Sequence, residues 1–144
     1  ISSAERNSMN LTYLKNFEKV QLQIAHNKYD SKDKELDKDL LYVPESSTSL
    51  MLSFDINRKT NLAMNYKKTG ERILRYESSF NEKVVGSPFS LLSIAVTRSI
   101  LFIDGTSILD ATLTIDNALD EDYESSIGYP EPGRSMNLTL EYNI

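Results

Sequence analysis

The sequence predicts an all-β, antiparallel protein whose strands run up and down in chain order. Three observations carry that reading. Apolar and polar residues alternate with a period of two in about seven stretches, no window shows a helical apolar period of useful length, and the connections alternate in length. In chain order, Met9, Leu11 and Tyr13 alternate with Asn10 and Thr12; Val20, Leu22 and Ile24 alternate with Gln21, Gln23 and Ala25. Leu50, Leu52, Phe54 and Ile56 alternate with Met51, Ser53, Asp55 and Asn57, and Leu62, Met64 and Tyr66 with Asn61, Ala63, Asn65 and Lys67. Leu92, Ile94 and Val96 alternate with Ser93, Ala95 and Thr97. Leu109, Ala111, Leu113 and Ile115 share a face against Asp110, Thr112, Thr114 and Asp116. The last stretch sets Met136, Leu138, Leu140, Tyr142 and Ile144 against Asn137, Thr139, Glu141 and Asn143.

The connections sharpen the architecture. Residues 15–18, 58–60 and 104–106 make short turns, the last holding an Asp-Gly turn signal, whereas 30–45, 77–87 and 120–134 are long. Transmembrane β-barrels have short turns on one side of the membrane and longer loops on the other. All six connections keep that parity, which points to an antiparallel, up-and-down transmembrane β-barrel. Aromatics near strand ends (Tyr13, Phe17, Tyr29, Tyr76, Phe89, Phe102, Tyr142) fit an interfacial girdle, although aromatics are common in any strand. The rival from another class is a soluble or surface β-sandwich that binds carbohydrate or protein. Its strands would alternate in the same way, so the discriminating question is whether a second sheet covers the apolar face.

Composition narrows the function. The chain has 144 residues, net charge -5 and no cysteine, with an isoelectric point near 4.9 and mean hydropathy of -0.39. The acidic balance argues against nucleic acid as a partner, and the missing thiols exclude disulfides and thiolate metal sites. The single histidine, His26, has no neighbouring Cys or His to complete a metal site. No apolar run is long enough for a membrane-spanning helix, a test blind to strands. The carboxylate-rich run from Asp30 to Asp39 fails as an EF-hand: lysines stand at ligand positions and the required glycine is missing. It reads as a solvated loop, the other option being a site for divalent cations that bridge lipopolysaccharide. No nucleophile, acid–base or phosphate-loop pattern appears, so the chain is expected not to be an enzyme and to need no cofactor or metal.

The last 29 residues, 116–144, are the most specific stretch. Asp116-Asn117-Ala118-Leu119-Asp120-Glu121-Asp122-Tyr123-Glu124 is followed by Gly128-Tyr129-Pro130-Glu131-Pro132-Gly133-Arg134 and then by the closing strand. This resembles the carboxyl-terminal end of TonB-dependent outer-membrane receptors, where an Asn-Leu-Phe-Asp-like run precedes a Gly-Tyr-Pro-x-Pro-Gly-Arg loop. Ala118-Leu119 stands where the family has Leu-Phe, and Ile144 stands where it ends in Phe or Trp.

The resemblance implies that residues 1–144 form about the last seven strands of a larger barrel of about 22 strands, the plug domain and signal peptide lying in a longer precursor. It implies a Gram-negative outer-membrane location and energised uptake of a scarce ligand, foremost a ferric siderophore, with cobalamin or haem as alternatives. Implied partners are outer-membrane lipid and lipopolysaccharide, the ferric-siderophore-like ligand, and the TonB complex through the missing amino-terminal part. In this family the outward loops contact ligand, which makes the loop aromatics Tyr42, Tyr123 and Tyr129 the candidate ligand-binding residues. One residue tests the facing. Arg98 shares parity with Leu92, Ile94 and Val96, so a regular strand continuing to Phe102 would place it on the lipid side near the inner rim, its stem snorkelling to the headgroups.

Overall fold

The computed structural model describes residues 3–77, 82–103 and 106–142. Its long strands are β1 (Ala4–Asn16), β2 (Val20–Asp33), β4 (Ser46–Asn57), β5 (Thr60–Thr69), β8 (Phe89–Ile103), β9 (Thr106–Asp116) and β12 (Ser135–Tyr142). They pair in the order β1-β2-β4-β5-β8-β9-β12, each antiparallel to the next, and the two-residue β3 (Lys38–Asp39) adds to the end of β2. Every one of the seven sequence-predicted strands is present, and they are neighbours in chain order. Most run longer than their alternating stretch, up to 15 residues in β8, whereas a tilted strand needs only about 10 residues to cross the hydrocarbon.

The register collects the apolar positions on one side of the sheet. Tyr13, Ile24, Leu50, Tyr66 and Leu92 lie opposite one another across five strands. The next rows run Leu22–Leu52–Met64–Ile94–Ile115–Met136 and Val20–Phe54–Leu62–Val96–Leu113–Leu138. The other face carries rows such as Asp55–Asn61–Thr97–Thr112–Thr139. There the side chains bond across strands: Thr97 to Thr112 at 2.9 Å, Asn61 to Ser53 at 3.0 Å and to Asp55 at 2.8 Å, and Ser99 to Asp110 at 2.7 Å.

Among the described residues no second layer covers the apolar rows. Among the described residues no apolar side chain is buried, and Leu11, Leu138 and Leu140 are each more than 60% exposed. The total accessible surface is 10337 Å² for 16.4 kDa, whereas a compact protein of that mass exposes roughly 7,500 Å². A β-sandwich buries the inner faces of two sheets against each other, so this single curtain is not one.

Two details differ from the sequence expectation. The long connections are not plain loops: 70–88 holds the hairpin β6 (Arg72–Tyr76) and β7 (Lys83–Gly86), and 117–134 holds β10 (Glu124–Ser126) and β11 (Tyr129–Pro130). Runs of two to five residues are too short for a period-two signal to stand out. The second concerns β8, which is not regular to Phe102. Ser99 pairs with Asp110 but Leu101 with Leu109, so Ile100 is an extra residue, and a second irregularity follows at Phe102. The bulge lies after Arg98, which therefore keeps its expected side, opposite Thr60 and Ala111 and exposed with Val96 and Leu113. The Asp104-Gly105 turn and the terminal Asn143 and Ile144 lie outside the described residues.

Candidate functional site

All three long connections leave the same end of the sheet, and there they form a second tier of contacts. The first connection hooks back on itself: Asp33 Oδ1 accepts the Glu35 and Leu36 amides at 2.9 and 3.1 Å, and Asp37 takes φ 49°. An aspartate tolerates that left-handed backbone better than most residues. Asp39 then meets Lys83 of the second connection at 2.6 Å, and Lys38 lies 4.9 Å from the Tyr76 ring centroid. The Asp39 carboxylate raises the Lys83 ammonium above its ordinary value, by hydrogen bond first and by charge second. The run from Asp30 to Asp39 thus spends side chains on turn capping and cross-loop pairing. Among the described residues no three His, Asp or Glu groups converge on a metal position. His26 lies on the apolar side of β2 and shares a 2.9 Å hydrogen bond with Thr48.

The third connection is stitched at its base, and the stitches are motif residues. Asn117 is buried with φ 48°. Its side-chain oxygen accepts the Glu121 amide at 3.0 Å, while its nitrogen donates to the carbonyls of Glu121 at 2.9 Å and Pro132 at 3.4 Å. Asp120 accepts the Arg134 amide at 2.9 Å and its guanidinium at 3.1 Å. Those two contacts hold the Asp120 carboxyl below its ordinary value, the backbone bond contributing most. A Cβ on Gly133 would sit 3.2 Å from the Asp120 oxygen, tight enough to disturb that pair. Asn117 and Asp120 thus bind the two halves of the motif together, reaching Pro132 and Arg134 directly. Farther out, Gly128 takes φ 77° at the tip of the β10–β11 hairpin and donates to Glu124 at 3.0 Å.

The three candidate tyrosines fall in different settings. Tyr123 stacks on Phe89 with ring centroids 4.5 Å apart and is half-buried; burial, then the charge of Glu131, raises its phenol above the ordinary value. Together with Leu74, Pro88, Pro130 and Glu131 this pair lines a cavity of about 500 Å³ between the second and third connections. Tyr129 sits near the hairpin tip and is 72% exposed. Tyr42, on the first connection, is exposed with φ 62°, its amide donating to the Ile73 carbonyl at 2.8 Å. An aromatic residue in the left-handed region costs roughly 1–2 kcal/mol, so the fold holds Tyr42 outward against its backbone preference.

Sequence reasoning missed two residues. Phe89 appeared there only as a strand-end aromatic, but it forms the floor of the Tyr123 cavity. Arg72 gave no signal at all, an isolated cation in a mixed-charge loop, yet it is 7% exposed and lines the same cavity.

No protein-family model and no curated protein matches the chain. Solved structures do. FpvA, the ferripyoverdine receptor of the outer membrane of Pseudomonas aeruginosa, superposes with a TM-score of 0.77 and 16% identity over 98% of this chain and 20% of that one. The ferric-catecholate import receptor Fiu of Escherichia coli K12 gives 0.76 and 16%, over 96% and 21% of the two chains. The siderophore receptor PiuA of Acinetobacter baumannii gives 0.77 and 12%, over 99% and 22%. The chain therefore has the fold of a wall segment of these receptor barrels, and spans about a fifth of their length.

Proposed function

We propose that residues 1–144 are the carboxyl-terminal wall of a TonB-dependent outer-membrane receptor that takes up a ferric siderophore. One observation carries the reading: a seven-strand curtain with a continuous apolar face and no core of its own, superposing almost end to end on siderophore receptors. In that setting the rows Leu22–Met136 and Val20–Leu138 face lipid, and the hydrogen-bonded Thr and Asn rows face the lumen. The short turns point to the periplasm and the three long connections outward, with lipopolysaccharide around them. The stitched motif gives the chain a defined return into the strand that closes the barrel. Transport then needs no nucleophile or acid–base pair from this part. The wall supplies a water-compatible inner surface, and the outward connections present Tyr42, Tyr123 and Tyr129 to the chelate. A phenol suits that contact because its ring covers apolar chelate surface while its hydroxyl hydrogen-bonds. Coupling to the TonB complex would fall to segments outside these residues.

The test is uptake of radiolabelled iron by a strain stripped of its own siderophore receptors and carrying the complete gene. Accumulation of a ferric siderophore that disappears when TonB is deleted is the expected result. Uptake of cobalamin or haem in its place would move the ligand within the same reading. Uptake indifferent to TonB would remove the reading.

A further inference from the structure

The buried guanidinium of Arg72 has an unusual set of partners. Its Nη1 donates to the Ser87 carbonyl at 3.3 Å, its Nη2 donates to the Glu124 carbonyl, and its Cζ lies 5.0 Å from the Phe89 ring centroid. Burying a cation is expensive unless its donors are satisfied. Here, among the described residues, the partners are carbonyl oxygens and a ring. Those partners join elements far apart in sequence. Arg72 itself lies on β6 of the second connection, and its backbone bridges Pro44 of the first. Ser87 leads into wall strand β8, and Glu124 opens β10 of the third connection. Phe89, under the guanidinium, carries Tyr123 on its other contact. The flanking amides extend the joint to the first connection, with Glu45 donating to Glu71 at 2.9 Å and Tyr42 to Ile73 at 2.8 Å.

We propose that Arg72 is a positioning residue whose guanidinium clamps the third outward connection onto the second, to which main-chain bonds already tie the first, so that Tyr42 and Tyr123 move together instead of on independent loops. Chemistry favours arginine there. A planar guanidinium can lie flat against a ring while its two terminal nitrogens reach separate carbonyls, whereas an ammonium must serve every partner from one nitrogen and has no plane to stack. The clamp goes beyond the transport reading and is tested without any ligand, so the two can fail separately.

The experiment is amide hydrogen exchange on the complete protein in detergent micelles, comparing wild type with Arg72→Ala, Arg72→Lys, Phe89→Leu and Lys83→Ala. Arg72→Ala is expected to speed exchange roughly tenfold in 124–131, with 42–45, held by main-chain bonds, and wall strands β4 and β9 unchanged. Arg72→Lys, which keeps the charge, should leave 124–131 just as fast. Phe89→Leu should free 124–131 alone, and decides the matter if Arg72→Ala does not fold. Lys83→Ala, which breaks only the link to Asp39, should leave 124–131 protected. The clamp is overturned if the Arg72→Ala effect stays within 72–86, if Arg72→Lys restores protection, or if Lys83→Ala frees the third connection equally. With Arg72→Ala unfolded, unchanged exchange of 124–131 in Phe89→Leu overturns it as well.

Discussion

The wall and the tier of outward connections are held together by different physics. The wall mostly repeats one device: a backbone ladder to the neighbouring strands, apolar side chains on one face and mainly polar ones on the other. No position is singular, and stability is spread along the rows from Tyr13 to Leu92 and from Leu22 to Met136. In the connections, individual side chains carry the joints: Asn117 and Asp120 at the base of the third, Arg72 between the second and third, Asp39 with Lys83 between the first and second. A substitution in the wall should therefore hurt according to the face it lies on. In the connections it should hurt according to the individual residue.

The largest expected effect concerns the wall as a whole. With its apolar face bare, the isolated chain should aggregate in plain buffer and become monodisperse only in detergent or lipid. A soluble monomer with a cooperative melt, seen by sedimentation and calorimetry, would mean that the two regions are not held as described. Next, Leu52→Arg should cost roughly 2–4 kcal/mol in the full barrel if Leu52 faces lipid, while its inward neighbour Ser53→Arg stays much milder. Equal costs in urea titrations of the two variants in lipid vesicles would erase the distinction between faces.

Of similar size is Asn117→Ala, expected to cost roughly 2–4 kcal/mol in opening the third connection: it orphans the Glu121 amide and leaves alanine in a left-handed conformation. Exchange of the Glu121 amide reads it directly. Tyr42→Gly should go the other way, making the first connection more resistant to proteolysis by about 1 kcal/mol as backbone strain is relieved. If Tyr42 touches the chelate, the same variant raises KM for uptake; a tighter loop with unchanged KM would remove it from the ligand site.

The smallest effect is a pH dependence at Asp120. Its folded carboxyl is held below the ordinary value by Arg134, so its contribution is complete at neutral pH, and is lost as pH falls through the depressed folded value. Exchange of the Arg134 amide should therefore accelerate on the acid side of the ordinary carboxylate range, and lose that acid step in Asp120→Asn. An identical acid step in both proteins would assign it to another group.

What could be read beforehand follows the same division. Period-two alternation exposed all seven wall strands and their facing, including Arg98, because a strand's side-chain direction depends only on parity. It could not place the bulge at Ile100, where one residue of β8 is left over in the pairing with β9, nor the short hairpins inside the long connections. The motif of 116–134 marked the third connection, while its reason, Asn117 and Asp120 reaching Pro132 and Arg134, needed the fold.

The sequence by itself determined the class, the strand order and which residues share a face of the wall, since local alternation and connection length settle these without reference to distant residues. Only the tertiary structure decided that the apolar face has no covering layer, that Tyr123 stacks on Phe89, and that Arg72 is buried. Those outcomes depend on residues dozens of positions apart meeting at one end of the sheet. Alternation and spacing along the chain carry no record of such meetings.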